Sequence, residues 1–88
     1  MPQLEKVGEV THYYTRIGVA VVRVTAPLKV GDRIAVRGHT TNFEQVVESM
    51  QIEHEAIEEA KPGDLIGLKV VDRVREGDIV YKLSLIHI

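Results

Sequence analysis

Three times in 88 residues a Gly-Asp pair stands directly before an apolar run: KVGDRIAV from Lys29, KPGDLIGL from Lys61 and EGDIVYKL from Glu76. Glycine adopts positive φ at little steric cost, and an aspartate beside it can accept hydrogen bonds from nearby backbone amides. Each pair therefore reads as a turn that launches a strand, which confines the chain to short strands joined by tight turns. The competing reading gathers Asp32, Asp64 and Asp78 into a carboxylate cluster for metal or acid–base chemistry. Equal positions in three separate turns rarely converge on one point, so the turn reading is preferred.

The segments between the turns agree with it. GVAVVRVT is rich in β-branched residues and bounded by Gly18 and Pro27, as a strand should be. Alternation sends Ala20, Val22 and Val24 to one face and Val19, Val21 and Arg23 to the other. In DRIAVRG, Ile34 and Val36 point inward, with Arg33, Ala35 and Arg37 outward. KVGEVTHY, LIGLKVV and DIVYKL complete five strong strand candidates; YTRIG joins the first two strands and the polar DRVREG joins the last two.

Residues 43–60 are harder to place. Apolar residues at 43, 46, 47, 50, 57 and 60 fit a helical stripe with glutamates opposite, and periodicity alone favours a helix. A strand needs a one-residue slip, which a bulge near Ser49 would supply.

A chain this short buries only ~60–65% of the surface its unfolded form exposes, leaving little core to give up to a deep pocket. One small domain is expected. Cysteine is absent, so neither a disulfide frame nor a thiolate zinc site is available. No apolar run approaches membrane-spanning length and MPQLEKVGEV lacks a signal-peptide layout, so a cytoplasmic protein without membrane partners is expected. Net charge is −2, but unevenly spread: residues 1–43 carry six Lys/Arg against three acids, and residues 44–88 five against ten. Such polarity suits steering or docking. The ending LSLIHI departs from the charged style of the rest and matches the translated end of a common transposon-type sequencing adapter. The natural domain is therefore expected to be residues 1–82, with 83–88 a sequencing or assembly artefact set aside from site reasoning.

Taken together, LKVGDRIAVRG, then EEAKPGDLIGLKV, then VREGDIVYKL resemble the second domain of elongation factor Tu and its relatives, and stand-alone elongation-factor-like proteins that consist of this domain alone. The likeness runs from about Val7 to Lys82. A similar barrel closes the C-terminal end of collagenase-like peptidases and related RNA-modifying enzymes. The resemblance implies an all-β fold, a small closed antiparallel β-barrel of six or seven strands. It also implies a strand, often bulged, over Thr41–Glu53, with a turn of helix allowed at Ala56–Ala60. No G-x-x-x-x-G-K-[ST] loop is present, so nucleotide binding does not carry over.

Catalytic signatures are missing from the sequence. His12, His39, His54 and His87 lack ligand spacing, so no metal or other cofactor is expected. Ser49 and Ser84 sit in no nucleophile motif, Glu58–Glu59 reads as a solvated pair, and no enzyme is expected. The first functional expectation is a binding module for RNA, tRNA or the ribosome: Arg16, Arg23, Lys29, Arg33 and Arg37 would neutralise phosphates, and Tyr13 or Tyr14 would stack on bases. The second is an accessory barrel that docks on a separately encoded peptidase-like or RNA-modifying enzyme, with Glu53, Glu55, Glu58 and Glu59 as an acidic docking surface. The plainer account of these charges is a solvated outer face, with the glutamates guarding a sheet edge.

Overall fold

The structure is a computed structural model that describes residues 2–85, with side chains from Leu4 to Leu83. Ten strands follow in order: β1 Pro2–Tyr14, β2 Val19–Val24, β3 Leu28–Lys29, β4 Arg33–Arg37, β5 Asn42–Val46, β6 Met50–Ile52, β7 Glu55–Ile57, β8 Glu59–Ala60, β9 Leu65–Lys69 and β10 Ile79–Leu85. The fold is all-β, and no helix occurs among the described residues, hence none long and apolar enough to cross a membrane. β10 continues past Lys82, pairing Ser84 with Gln3 and Leu85 with Pro2. Residues 86–88 of the set-aside tail lie outside the described residues.

Eight strands form one antiparallel sheet in the order β5-β4-β10-β1-β2-β9-β6-β7, and β3 pairs with β8 in a second, two-stranded sheet. Strand β1 pairs with β10 over its first part and with β2 over its second, with one register shift in each pairing, between Lys6 and Gly8 and between Val10 and His12. The extra residues bend and twist the strand, as bulges do. Gly8 sits where a Cβ would meet Val22 Cγ1 at 2.5 Å, so only glycine lets the two backbones approach there. The predicted alternation holds in β2, where Ala20, Val22 and Val24 are buried and Arg23 is exposed. In β4, Ile34 and Val36 enter the core as expected. Ala35, expected outward, is nevertheless fully buried. Its register partners Tyr81 and Glu44 flank it on the outer face, and a side chain as short as alanine lies beneath such neighbours.

All three Gly-Asp pairs are turns, and they repeat one another closely. In each, the aspartate N–H donates to the carbonyl three residues back, at 3.1 Å: Asp32 to Lys29, Asp64 to Lys61, Asp78 to Arg75. The aspartate Oδ2 accepts the N–H of that same residue, at 2.9, 3.0 and 2.8 Å. Gly31, Gly63 and Gly77 have φ of 98°, 94° and 91°, the conformation a type II turn requires at its third residue. A further pair of bonds ties every turn to a buried valine elsewhere in the chain. Gly31 N donates to Val47 O (2.9 Å) and Val47 N to Asp32 O (2.8 Å). The same reciprocal pair joins Gly63 and Asp64 to Val24, and Gly77 and Asp78 to Val10, at 2.8 Å throughout. Each turn thus clamps both backbone groups of one core residue: Val47 just after β5, Val24 at the end of β2, and Val10 within β1 where its register shifts.

Two expectations for the middle of the chain need correction. The strand foreseen over Thr41–Glu53 is two strands, β5 and β6, split where the Asp32 turn holds Val47. No turn of helix forms at Ala56–Ala60, where β7 pairs with β6 and β8 pairs with β3; these pairings satisfy the backbone by other means. The expected closed barrel of six or seven strands is also not what forms. The eight-stranded sheet is open, with β5 and β7 at its edges. The chain leaves β5, and β6 then pairs with β9 instead, so a covalent crossing stands where a closing ladder would be. Gln45, a buried side chain, spans part of the gap: Nε2 donates to Lys69 O (2.9 Å) and Oε1 accepts from Val71 N (2.8 Å). A buried amide that meets one carbonyl and one N–H in this way satisfies groups that would otherwise cost stability.

Candidate functional site

The outer face of the sheet displays the predicted bases, but not as one surface. Register places Arg37, Ile79, Glu9, Arg23 and Leu65 in a single row across β4, β10, β1, β2 and β9. Arg23 and Arg37 therefore do not lie on neighbouring strands. Two strands intervene, a separation of about 14 Å at ordinary strand spacing, and the acid Glu9 stands directly opposite Arg23. Arg33 Nε contacts Glu44 Oε1 at 3.3 Å, and Lys29 pairs across β3–β8 with Glu59. Three of the five bases thus have an acid beside them, which weakens the field a polyanion would meet.

Arg16 lies on the β1–β2 connection, in an apolar-lined hollow with Tyr13, Tyr14 and Ile17. Tyr13 packs against the core, while Tyr14 is 49% exposed and meets His12 edge-on with ring centroids 4.5 Å apart. His12 Nδ1 lies 3.2 Å from Glu76 Oε1. At this same end of the molecule Ile17 and Val71 are 59% and 66% exposed. Gly18 O accepts from Val70 N at 3.0 Å, and Lys69 Nζ reaches Ile17 O at 3.5 Å, so the β1–β2 turn and the chain after β9 share one apolar tip.

The four predicted docking glutamates are all exposed. Glu53 sits in the β6–β7 turn with φ of 50°, beside His54 with φ of 68°, and Glu55 lies on edge strand β7. Glu58 O accepts from Val30 N (2.9 Å), so Glu58 and Glu59 run alongside the Asp32 turn. A charged edge of this kind discourages pairing with another sheet. His12, His39 and His54 stay apart, and His87 lies outside the described residues. Among the described residues no three His, Asp or Glu side chains are arranged to hold a metal ion.

A polar cleft of about 290 Å³ was not foreseen. It lies between the start of β5 and the chain after β9, lined by Thr40, Thr41, Asn42, Phe43, Asp72, Arg73 and Arg75. By sequence DRVREG is a polar connection only. Its signal is the arginine–valine–arginine run: Val74 is buried, which pins the segment and leaves Arg73 and Arg75 exposed on either side.

With this geometry in hand, the comparisons with known proteins point one way. No protein-family model matches the chain. An uncharacterized protease of Methanocaldococcus jannaschii is 44% identical over 80 residues, which is 90% of this chain and 20% of that protein. A collagenase of Porphyromonas gingivalis is 35% identical over 89% of this chain and 22% of its own length. Among solved structures, the C-terminal domain of a Geobacillus thermoleovorans protein described as a U32 peptidase superposes with a TM-score of 0.84 at 26% identity. The match covers 89% of this chain and 91% of that domain. Over nearly its whole length the chain is similar in sequence and fold to this C-terminal domain. Its selenomethionine variant gives the same picture, with a TM-score of 0.82 at 25% identity. Of the two resemblances drawn from the Gly-Asp motifs, the one to collagenase-like peptidases is the one these relatives support. The chain spans about a fifth of the length of the curated relatives it matches.

Proposed function

We propose that this chain is a non-catalytic accessory domain that docks on a peptidase-like body. The observation that carries this reading is the match of nearly the whole fold to a domain that ends a U32 peptidase, while the same sequence accounts for only a fifth of the proteases it resembles. The remaining four-fifths of such proteins is where peptide-bond chemistry is to be sought. The apolar tip fits the docking role. Tyr14, Ile17 and Val71 are large, exposed apolar side chains on segments joined through the Val70–Gly18 bond, and anchors of this kind form the centre of protein interfaces. Arg16 and Lys69 beside them would suit an acid-rimmed partner surface.

The test uses the Methanocaldococcus jannaschii relative with its matching fifth deleted, mixed with the 88-residue chain and followed by sedimentation. One-to-one co-sedimentation is expected, weakened by Ile17→Asp together with Val71→Asp. Independent sedimentation at concentrations where a standard-size interface would saturate sinks the docking reading. Peptide hydrolysis by the isolated 88-residue chain would sink the non-catalytic half of it.

A further inference from the structure

We infer that the cleft beside β5 is a binding site for an extended acidic peptide segment. β5 is an edge of the eight-stranded sheet, and an edge strand keeps one row of N–H and C=O groups without a ladder partner. Gln45 secures the far end of the gap through Lys69 and Val71. Nearer the start of β5 the gap widens into the cleft, so a strand-like ligand has backbone groups to pair with and space to enter.

The charges on the opposite wall select the ligand. Arg73 and Arg75 both line the cleft, and neither guanidinium has a carboxylate within ion-pair distance among the described residues. Their backbone is held: Arg73 N donates to Asp72 Oδ1 at 2.7 Å and Arg75 N to Asp78 Oδ2 at 2.8 Å, while Val74 between them is buried. Asp72 is the one acid in the lining and Arg37 stands across the ladder from Asn42, so the cleft keeps a positive balance. A guanidinium fork matches a carboxylate in two parallel bonds, and Thr40, Thr41 and Asn42 add hydroxyl and amide groups on the facing wall. Backbone pairing asks for an extended peptide, and the arginines ask for acidic side chains along it. This site is separate from the apolar tip and stands whether or not that tip docks on a peptidase-like body.

The experiment is an amide-resolved NMR titration of the 88-residue chain with a short blocked peptide alternating valine and aspartate. Matched arms use the valine–asparagine peptide and inorganic phosphate. Expected are shifts confined to residues 40–46 and 69–75, slowed exchange of β5 amides, and affinity at least about tenfold weaker for Arg73→Gln with Arg75→Gln, as for loss of a charge-assisted bond pair. Arg23→Gln, on the far outer face, leaves affinity unchanged. Equal binding of the valine–asparagine peptide overturns the proposal, as does a shift pattern elsewhere. So does phosphate moving the cleft residues while the acidic peptide moves none. Both arginines are exposed, and an unchanged spectrum away from the cleft confirms that the variants are folded.

Discussion

From β10 through β1 and β2 to β9, the sheet is held by ladders of five to seven registered pairs. Between β5 and the chain after β9, the amide of Gln45 does the joining. The laddered side has redundant hydrogen bonds and a fixed register, so no single polar side chain decides its geometry. The seam has no such redundancy, and there one side chain closes part of the gap and leaves the rest open as a cleft. Open sheet edges are normally blunted or covered; this one is half clasped, which is where a ligand-sized space survives.

The three Gly-Asp turns share their backbone bonds but differ in burial and in what else the carboxylate meets, Asp32 alone lying 3.5 Å from Lys82 Nζ. Asp78 is 4% exposed, whereas Asp32 and Asp64 are half-buried. Asp78→Ala leaves the Arg75 amide without its acceptor in the least solvated of the three turns and is expected to cost about 2–3 kcal/mol, against about 1 kcal/mol for Asp32→Ala or Asp64→Ala. Equal losses in urea melts would break the distinction by burial. Gly38 packs directly under the Asp78 carboxylate, with no space for a Cβ. Gly38→Ala is therefore expected to cost about 2 kcal/mol through overpacking, read in the same melts.

On the seam side, Gln45→Leu keeps the volume and removes both bridging bonds. A loss of about 1–2 kcal/mol is expected, together with faster hydrogen exchange at Val71 and unchanged exchange in β2. A uniform rise in exchange would show that seam and ladder are one cooperative unit. Gly63→Ala tests backbone conformation alone, since no atom lies within 4 Å of a Cβ built there; the positive φ makes it cost about 1 kcal/mol. Smallest of all, Arg33→Ala removes an ion pair between largely exposed groups and should change stability by less than about 0.5 kcal/mol.

What could be read from the residues divides along the same line. Period-two burial in β2, the inward Ile34 and Val36 of β4 and the three turn-launched strands are legible in the sequence, because local chemistry alone decides them. Ala35 was misplaced because alternation assigns a face but not how tall the neighbours on that face are. Residues 43–60 were ambiguous because their strands are two to five residues long, too short for a period to declare itself against a helical stripe. The closed barrel is an expectation of the resemblance, and what replaces closure is a pair of bonds from Gln45 to backbone groups 24 and 26 residues away, which no pattern within a window reveals. Arg73 and Arg75 were visible as charges, yet only the fold brings them opposite Thr40–Phe43.

The three valine clamps also imply an order of assembly. Asp32 meets Val47 across 15 residues of chain, Asp64 meets Val24 across 40, and Asp78 meets Val10 across 68. Taken singly, closing the longest of these loops costs about 1.3 kcal/mol more in chain entropy than closing the shortest. The β4–β5 hairpin is then the natural first piece to hold together, and the union of β1 with β10 the last. A polypeptide with three near-identical fasteners would therefore engage them from the middle of the chain outward, with its two ends meeting only once the interior is in place.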